Sequence, residues 1–214
     1  MGLLHIQPFP KGFFAIGSGT AAGIRNITVE NCQLGAPRGQ GHYGPNCDAG
    51  INIKTERGNG GVIEDVTFRN ITIYGRVDEW DLLPATPIRV ALIYAYNDSI
   101  KRPTNISATP KLRRVRFENI HAEAQCAPDF WRPGKPGAPS PCGDNSSIAF
   151  GAEARIAPGV IWGLEDSLIS EVSFENITII TETPSHAPWR CGHLDTDTIT
   201  ATDVSPPMTG CVRA

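Results

Sequence analysis

The segment Ile51–Thr55 has the residue types and spacing to bind an anion on one face of a strand. Its two isoleucines alternate with Asn52 and Lys54, and a period of 2 places this polar pair together on the outward face. The ammonium group of Lys54 can pair there with a ligand carboxylate, and Asn52 can hydrogen-bond a hydroxyl group. Arg57, just beyond the segment, can add a second carboxylate contact. The alternative is that Lys54 is an ordinary solvated strand lysine.

Two other stretches carry residues that can contact a polymer. Tyr94 and Tyr96 occupy the equivalent place one repeat later, where an aromatic ring either stacks on a sugar or packs in the core. The basic run Lys111–Arg116 alternates with apolar residues, which favours the solvated outer face of a strand over a site for an anionic polymer. The predicted binding residues are therefore Asn52, Lys54, Arg57 and Tyr94.

Self-similarity along the chain indicates the elements that position these residues. Four segments have apolar residues at their first, fourth and sixth places and end in Asn: Ile24–Asn31, Ile63–Asn70, Leu112–Asn119 and Ile169–Asn176. The alternation within each segment predicts a strand with one buried face. Because Asn tolerates the left-handed backbone conformation and bonds neighbouring amides, its recurrence predicts an asparagine ladder along a stacked turn.

A second set of short strands precedes these segments, at Phe14–Ser18, Ile51–Thr55, Val90–Tyr94 and Ile148–Ala152. The two sets interleave strictly, and the spacing between repeats grows along the chain. A parallel β-helix tolerates this growth, because insertions leave the coil at its turns while the strands stay stacked. We therefore predict an all-β fold, a single-stranded parallel β-helix of about four coils that forms one domain over residues 1–214. An antiparallel sandwich of similar strands is the alternative.

Composition and charge disfavour several classes of function. The chain has 214 residues, with Gly 22 and Pro 18, and its net charge of -3 gives no reason to expect nucleic acid or an anionic membrane as partner. No apolar run approaches the roughly 20 residues that span a bilayer. The first residues lack the basic and long apolar regions of a signal peptide.

The six cysteines fall into three sequence-local pairs that bracket Gly/Pro-rich loops: Cys32 and Cys47, Cys126 and Cys142, Cys191 and Cys211. None lies in a CxxC motif or a cluster with zinc-like spacing, so we predict no metal and no other cofactor. Disulfides that staple loops are typical of an oxidising compartment, which predicts an extracellular protein. Glycosylation sequons occur at Asn26, Asn70, Asn97, Asn105, Asn145 and Asn176, although Asn-Ile-Thr also recurs as part of the repeat.

Three motifs resemble glycoside hydrolase family 28, the polygalacturonases, and in particular its plant-type branch. The segment Phe13–Ser18, followed by Gly23–Cys32, resembles the family's Ile-Gly-Ser strand and the Asn-Cys coil after it. The segment Gly50–Val62 is similar to its Arg-Ile-Lys element, with Asn52 in place of Arg and Lys54 at the substrate site. The Gly-Leu-Glu-Asp-Ser run at 163–167, with Trp-Arg-Cys at 189–191, resembles its C-terminal tail, predicted over 179–214 with a disulfide.

The resemblance implies a right-handed, pectin-lyase-like β-helix and inverting hydrolysis of the α-1,4-galacturonosyl bonds of pectin. In that family an Asn-Thr-Asp element and an Asp-Asp pair, on coils before the Ile-Gly-Ser strand, are catalytic. Only 13 residues precede Phe14, none of them is Asp or Glu, and the family's Gly-His-Gly turn is absent. We therefore predict no catalytic residue here and expect that the N-terminal coils are missing, with the chain beginning at an internal Met.

The remaining carboxylates do not replace the missing pair. Asp48 and Glu56 flank the strand that carries Lys54, where they can shape a subsite or lie on a plain surface, and Glu64-Asp65 is expected to be a solvated turn. The predicted function is that of a polygalacturonase at the level of the family, in a chain inactive alone, monomeric and located in the cell wall. The main alternative is a non-catalytic protein that binds polygalacturonate. A lyase or rhamnogalacturonase is the third interpretation. A lyase would require a cluster of acidic residues that binds Ca²⁺, which the sequence does not show.

Overall fold

The computed structural model describes residues 13–17, 19–35, 50–77, 86–93, 108–126, 157–181 and 188–213. Within these ranges the chain forms strands joined by turns, including a 3₁₀ turn at Thr196–Thr198, and no α-helix, so the all-β prediction is confirmed. No helix in these ranges is long and apolar enough to cross a membrane. The strands are β1 Phe13–Ile16, β2 Ile24–Gly35, β3 Gly50–Lys54, β4 Val62–Val77, β5 Ile88–Ala91, β6 Lys111–Cys126, β7 Gly159–Trp162, β8 Ser170–Thr181, β9 Arg190–Gly192 and β10 Ile199–Ser205.

The strands form two five-stranded parallel sheets. Sheet A has the order β1-β3-β5-β7-β9, and sheet B has the order β10-β8-β6-β4-β2. The chain therefore passes from one sheet to the other at every strand, and successive strands of each sheet stack in sequence order. All pairings between these strands are parallel, which confirms the predicted interleaving and excludes, for the described strands, the antiparallel sandwich.

Left-handed residues bend the long strands of sheet B without interrupting their stacking. They form two rows across β2, β4, β6 and β8, with φ between 53° and 57°. The first left-handed row is Asn26, Asp65, Arg114 and Glu171, and the second is Asn31, Asn70, Asn119 and Asn176. In the second row each Nδ2 donates to the Oδ1 of the preceding Asn at 2.9 to 3.1 Å, so the predicted asparagine ladder is confirmed. Its members are 39, 49 and 57 residues apart, so the insertions lie between the stacked strands.

The core lies between the two sheets and contains a column of aromatic rings. Phe117 stacks on Phe68 with ring centroids 5.3 Å apart and on Phe174 at 4.8 Å. Trp189 meets Phe174 edge-on at 5.4 Å and closes the column. Gly159 makes room for that indole ring, because a Cβ atom there would lie 2.1 Å from it. Burial of these rings removes a large apolar area from water and so stabilises the fold.

The structure corrects two of the predicted strands of sheet A and places two further strands near the end of the chain. β5 begins at Ile88, two residues before the predicted Val90–Tyr94. The next strand of sheet A is Gly159–Trp162, whereas the predicted Ile148–Ala152 lies outside the described residues. Within the predicted C-terminal tail, 179–214, β9 and β10 extend both sheets, so that each sheet has five described strands.

A disulfide joins Cys191 in β9 to Cys211, whose Cα atoms are 5.4 Å apart, and confirms one predicted cysteine pair. Cys211 is fully buried and belongs to the core, so the cross-link anchors the segment after β10 to the body of the protein. The other two predicted pairs include Cys47 and Cys142, which lie outside the described residues.

Candidate functional site

The side of sheet A that faces away from the core carries three cations, and we call this side of the sheet the basic face. In β3 and β5 the isoleucine and valine side chains are buried in the core, so the residues that alternate with them lie on the opposite side of the sheet, where Asn52 and Arg89 are also largely buried. One register row runs from Asn52 to Arg89, Val160 and Arg190 on successive strands. A second row contains Lys54, Ala91 and Trp162. The basic face consists of Asn52, Lys54, Arg89, Trp162 and Arg190.

The backbone around Lys54 is held on both sides. Gly17 packs against its carbonyl group so closely that a Cβ atom would lie 1.6 Å from the oxygen, and Gly17 has a φ of 113°. These constraints explain the glycine of the Ile-Gly-Ser sequence. Just beyond Lys54, the buried hydroxyl group of Thr55 lies 2.8 Å from that of Thr20, and the Thr55 amide donates to the carbonyl of Ala91. The partly exposed Lys54 side chain therefore starts from a fixed backbone.

Asn52 occupies its predicted place in the strand and is only 6% exposed. Its side-chain Oδ1 is buried and has no hydrogen-bond partner among the described residues. A buried polar atom without a partner costs about 1–3 kcal/mol. A ligand hydroxyl group that reaches this oxygen would recover that energy, which fits the predicted role of Asn52.

Three residues of the basic face were not predicted from the sequence. Arg89 is 9% exposed, Arg190 is half-buried, and Trp162 is half-buried with its ring edge-on to His193 at 6.0 Å. Arg89 follows Ile88 as Asn52 follows Ile51, so correct alignment of the short strands would have found it. Arginine binds carboxylates with two parallel hydrogen bonds, and an indole ring can stack on a sugar ring.

Arg57 lies in the turn after β3, away from the strand positions of the basic face. Its two terminal nitrogens, Nη1 and Nη2, donate to the two carboxylate oxygens of Asp166 at 2.6 and 2.5 Å. Asp166 belongs to the turn after β7, so this ion pair links two turns. The hydrogen bond to Asp166 raises the pKa of the Arg57 guanidinium. The structure thus gives Arg57 a structural partner, and its role in binding a ligand stays a prediction.

The predicted carboxylate candidates do not lie in the sheet A strands. Glu56 is half-buried in the turn after β3, and Asp48 lies outside the described residues, as do Tyr94 and Tyr96. None of the described strands of sheet A contains Asp or Glu. In the described ranges, no group of three or more His, Cys, Asp or Glu side chains is arranged to hold a metal ion.

Glu64 is not the solvated turn residue that was expected. It lies within β4, is 5% exposed, and forms ion pairs with Arg25 at 3.0 Å, Arg113 at 2.8 Å and Arg114 at 2.6 Å. Asp65 beside it pairs with Arg114 at 2.7 Å. The hydrogen bond from Arg113, with the neighbouring positive charges, lowers the pKa of Glu64. This cluster joins β2, β4 and β6 and is therefore structural.

The described strands of the two sheets carry different sets of charged residues. On sheet B, Arg113 and Arg114 of the basic run meet Glu64 and Asp65, and Arg69 pairs with Glu30. The described strands of sheet A contribute three cations to their outer face and no carboxylate. The described strands of sheet A therefore bring no negative charge of their own to the basic face.

The chain was compared with models of protein families, with curated proteins and with solved structures, and none of them matches.

Proposed function

We propose that this chain is a right-handed parallel β-helix that binds polygalacturonate, the acidic polymer of pectin, along its basic face. The two parallel sheets, with strands that alternate between them in sequence order, support the β-helix. Its right hand follows from the general preference of connections between parallel strands. The sequence motifs that resemble family 28 support the choice of ligand, and the chain is proposed to act outside the cell, in the cell wall, as a monomer.

The basic face carries this proposal. Lys54 and Arg89 lie on adjacent strands, and Arg190 lies two strands beyond Arg89. Because adjacent strands are about 4.8 Å apart, cations recur across the sheet at the scale of a sugar unit or two. A polymer with a carboxylate on every unit can lie across the strands and meet several of them. Trp162 and Asn52 add a ring surface and a hydrogen-bond acceptor that neutral sugar atoms can use.

We propose binding without cleavage for this chain. Inverting hydrolysis needs one carboxyl group to protonate the leaving oxygen and a second, about 6.5–9.5 Å away, to activate water. The described strands of the basic face provide neither group. Of the nearby described carboxylates, Asp166 is engaged with Arg57. The polygalacturonase activity implied by the resemblance therefore has no described pair of acids to carry it.

The test is a titration of the full chain with an oligogalacturonate and with the same oligosaccharide after methyl esterification. The acidic form should bind, and the ester should bind at least about tenfold more weakly, because hydrogen bonds to charged groups contribute roughly 1.5–3 kcal/mol. Lys54→Ala should weaken binding of the acidic form by about tenfold or more. Lys111→Ala is the matched control, because Lys111 is an exposed strand lysine on sheet B, and it should bind like the parent chain.

Equal affinity for the acid and the ester would contradict an electrostatic site. Equal loss in Lys54→Ala and Lys111→Ala would place the site elsewhere on the protein. Reducing-end release from polygalacturonate by the purified chain would contradict binding without cleavage, and would direct attention to Glu56 and Asp48.

A further inference from the structure

Three of the glycosylation sequons lie within the described residues, and all three read Asn-Ile-Thr. They begin at Asn26, Asn70 and Asn176, which are all exposed residues of sheet B with a left-handed backbone. Exposure and local sequence therefore do not distinguish them. Their hydrogen bonds do, because the three asparagines belong to different left-handed rows.

Asn70 and Asn176 are members of the asparagine ladder. The Nδ2 atom of Asn70 donates to Asn31 at 3.1 Å, and that of Asn176 donates to Asn119 at 2.9 Å. Nδ2 is also the atom that carries a glycan in a glycosylated asparagine. The next asparagine lies one strand away, about 4.8 Å along the stack, which is less room than a sugar ring needs. Glycosylation replaces one of the two Nδ2 hydrogens, so a glycan at either position would put a sugar ring against the neighbouring rung and crowd the ladder.

The ladder also explains why asparagine stands at these positions without any role for a glycan. Asn119 and Asn31 are equally part of it, yet His121 and Gln33 occupy the places where a sequon needs Ser or Thr. The ladder therefore accounts for the asparagine at position 70 whether or not a Thr follows two residues later.

Asn26 is not a member of the asparagine ladder. Its counterparts in the first left-handed row are Asp65, Arg114 and Glu171, so the position does not require asparagine. Its side chain forms no hydrogen bond with another described residue. Thr28, which completes the sequon, is exposed. Asn26 lies on β2 of sheet B, whereas the basic face belongs to sheet A.

We propose that Asn26 is an N-glycosylation site and that Asn70 and Asn176, despite identical sequons, are not. In the reaction, the Asn26 amide nitrogen forms a bond to the anomeric carbon of the first N-acetylglucosamine of a lipid pyrophosphate-linked oligosaccharide. The bond from that carbon to the pyrophosphate oxygen breaks, the lipid pyrophosphate leaves, and one amide proton passes to solvent. No oxidation or reduction occurs. The inference depends on the proposed extracellular location and is independent of the polygalacturonate ligand.

The test uses the full chain, directed into the secretory pathway of a eukaryotic cell by an added signal sequence. The secreted, folded protein is treated with peptide N-glycosidase in heavy-oxygen water, which converts a glycosylated Asn to labelled Asp, and its peptides are analysed by mass spectrometry. The label should appear at Asn26 and be absent from Asn70 and Asn176. Thr28→Val removes the sequon but keeps Asn26. The secreted variant should migrate faster on a gel than the parent chain, by the mass of one glycan. Thr72→Val is the matched control at Asn70 and should leave the mobility unchanged.

An unlabelled Asn26 in the secreted protein would overturn the inference, as would a label at Asn70 or Asn176. If a valine variant is not secreted, the peptide map of the parent chain alone decides between these results. Polygalacturonate binding is measured separately, so failure of the proposed function leaves this result intact.

Discussion

Replacing Asn70 by glycine removes one rung of the asparagine ladder while keeping its backbone conformation accessible. The Asn70 side chain donates to Asn31 at 3.1 Å and accepts from Asn119 at 3.1 Å. Glycine adopts the φ of 54° at this position without strain, so the substitution isolates the two side-chain hydrogen bonds. Asn26→Gly is the matched control, because Asn26 has a φ of 56° on the adjacent strand but is not part of the ladder.

The magnitude follows from the two lost bonds. Each hydrogen bond contributes about 0.5–1.5 kcal/mol net, and exposed bonds lie toward the lower end, so Asn70→Gly should lower the free energy of unfolding by about 1–2 kcal/mol. For a chain of this size the midpoint of thermal unfolding should fall by roughly 3–6 °C. Asn26→Gly should stay within about 0.5 kcal/mol of the parent chain.

The assay is urea denaturation followed by circular dichroism, on protein made in a host without N-glycosylation so that Asn26 carries no glycan. Equal free energies for Asn70→Gly and Asn26→Gly would refute the ladder as a source of stability. A larger loss in Asn26→Gly would mean that the first left-handed row, and not the second, holds the strands together.

Three further predictions concern the core, the charge cluster and the disulfide. Phe117→Ala removes the middle ring of the aromatic column and should cost about 3–5 kcal/mol in urea denaturation, or leave the chain unfolded. The hydrogen bond from Arg113 holds the pKa of Glu64 below its ordinary value of 4.5, so its stabilisation should be fully present above that pH and lost as the pH falls through the lowered pKa. The free energy of unfolding of Glu64→Gln, measured as a function of pH, should not show this acid-induced fall. Joint replacement of Cys191 and Cys211 by serine opens a loop with a sequence separation of 20 and should cost about 3 kcal/mol.

Each of these predictions has a contrary outcome. A cost below about 1 kcal/mol for Phe117→Ala would mean that the column is not tightly packed. Identical acid unfolding of Glu64→Gln and the parent chain would remove the charge cluster as a cause of the pH dependence. Unchanged stability of the double serine variant would show that the segment after β10 is held without its cross-link.

The strands of sheet B could be predicted from the sequence because each carries several independent signals. Phe68, Phe117 and Phe174 recur at the same place relative to Asn70, Asn119 and Asn176, and the asparagines stack as predicted. The last strand escaped prediction because Asp203 takes the place of the asparagine in β10.

The strands of sheet A carried too little information for their register to be predicted. β5 has few inward residues, and Ile88, Val90 and Leu92 all fit the same alternation, so a shift by two residues changes no burial pattern. The prediction chose Val90 and thereby missed Arg89 on the basic face. In β9, Arg-Cys-Gly shows no apolar alternation, so Arg190 was missed too.

The site was predicted where a local motif existed and missed where only stacking defines it. Lys54 and Asn52 followed from one alternating segment, whereas Arg89, Trp162 and Arg190 join them through register with distant parts of the chain. The burial of Glu64 was not predictable either, because its three arginine partners come from β2 and β6.

Hydrogen exchange of the full chain with and without saturating oligogalacturonate tests the central claim most directly. The basic face predicts slower amide exchange in β3, β5, β7 and β9, and unchanged exchange in the middle of β4 and β6. Slower exchange confined to sheet B, or no change in sheet A while the ligand is bound, would contradict the account.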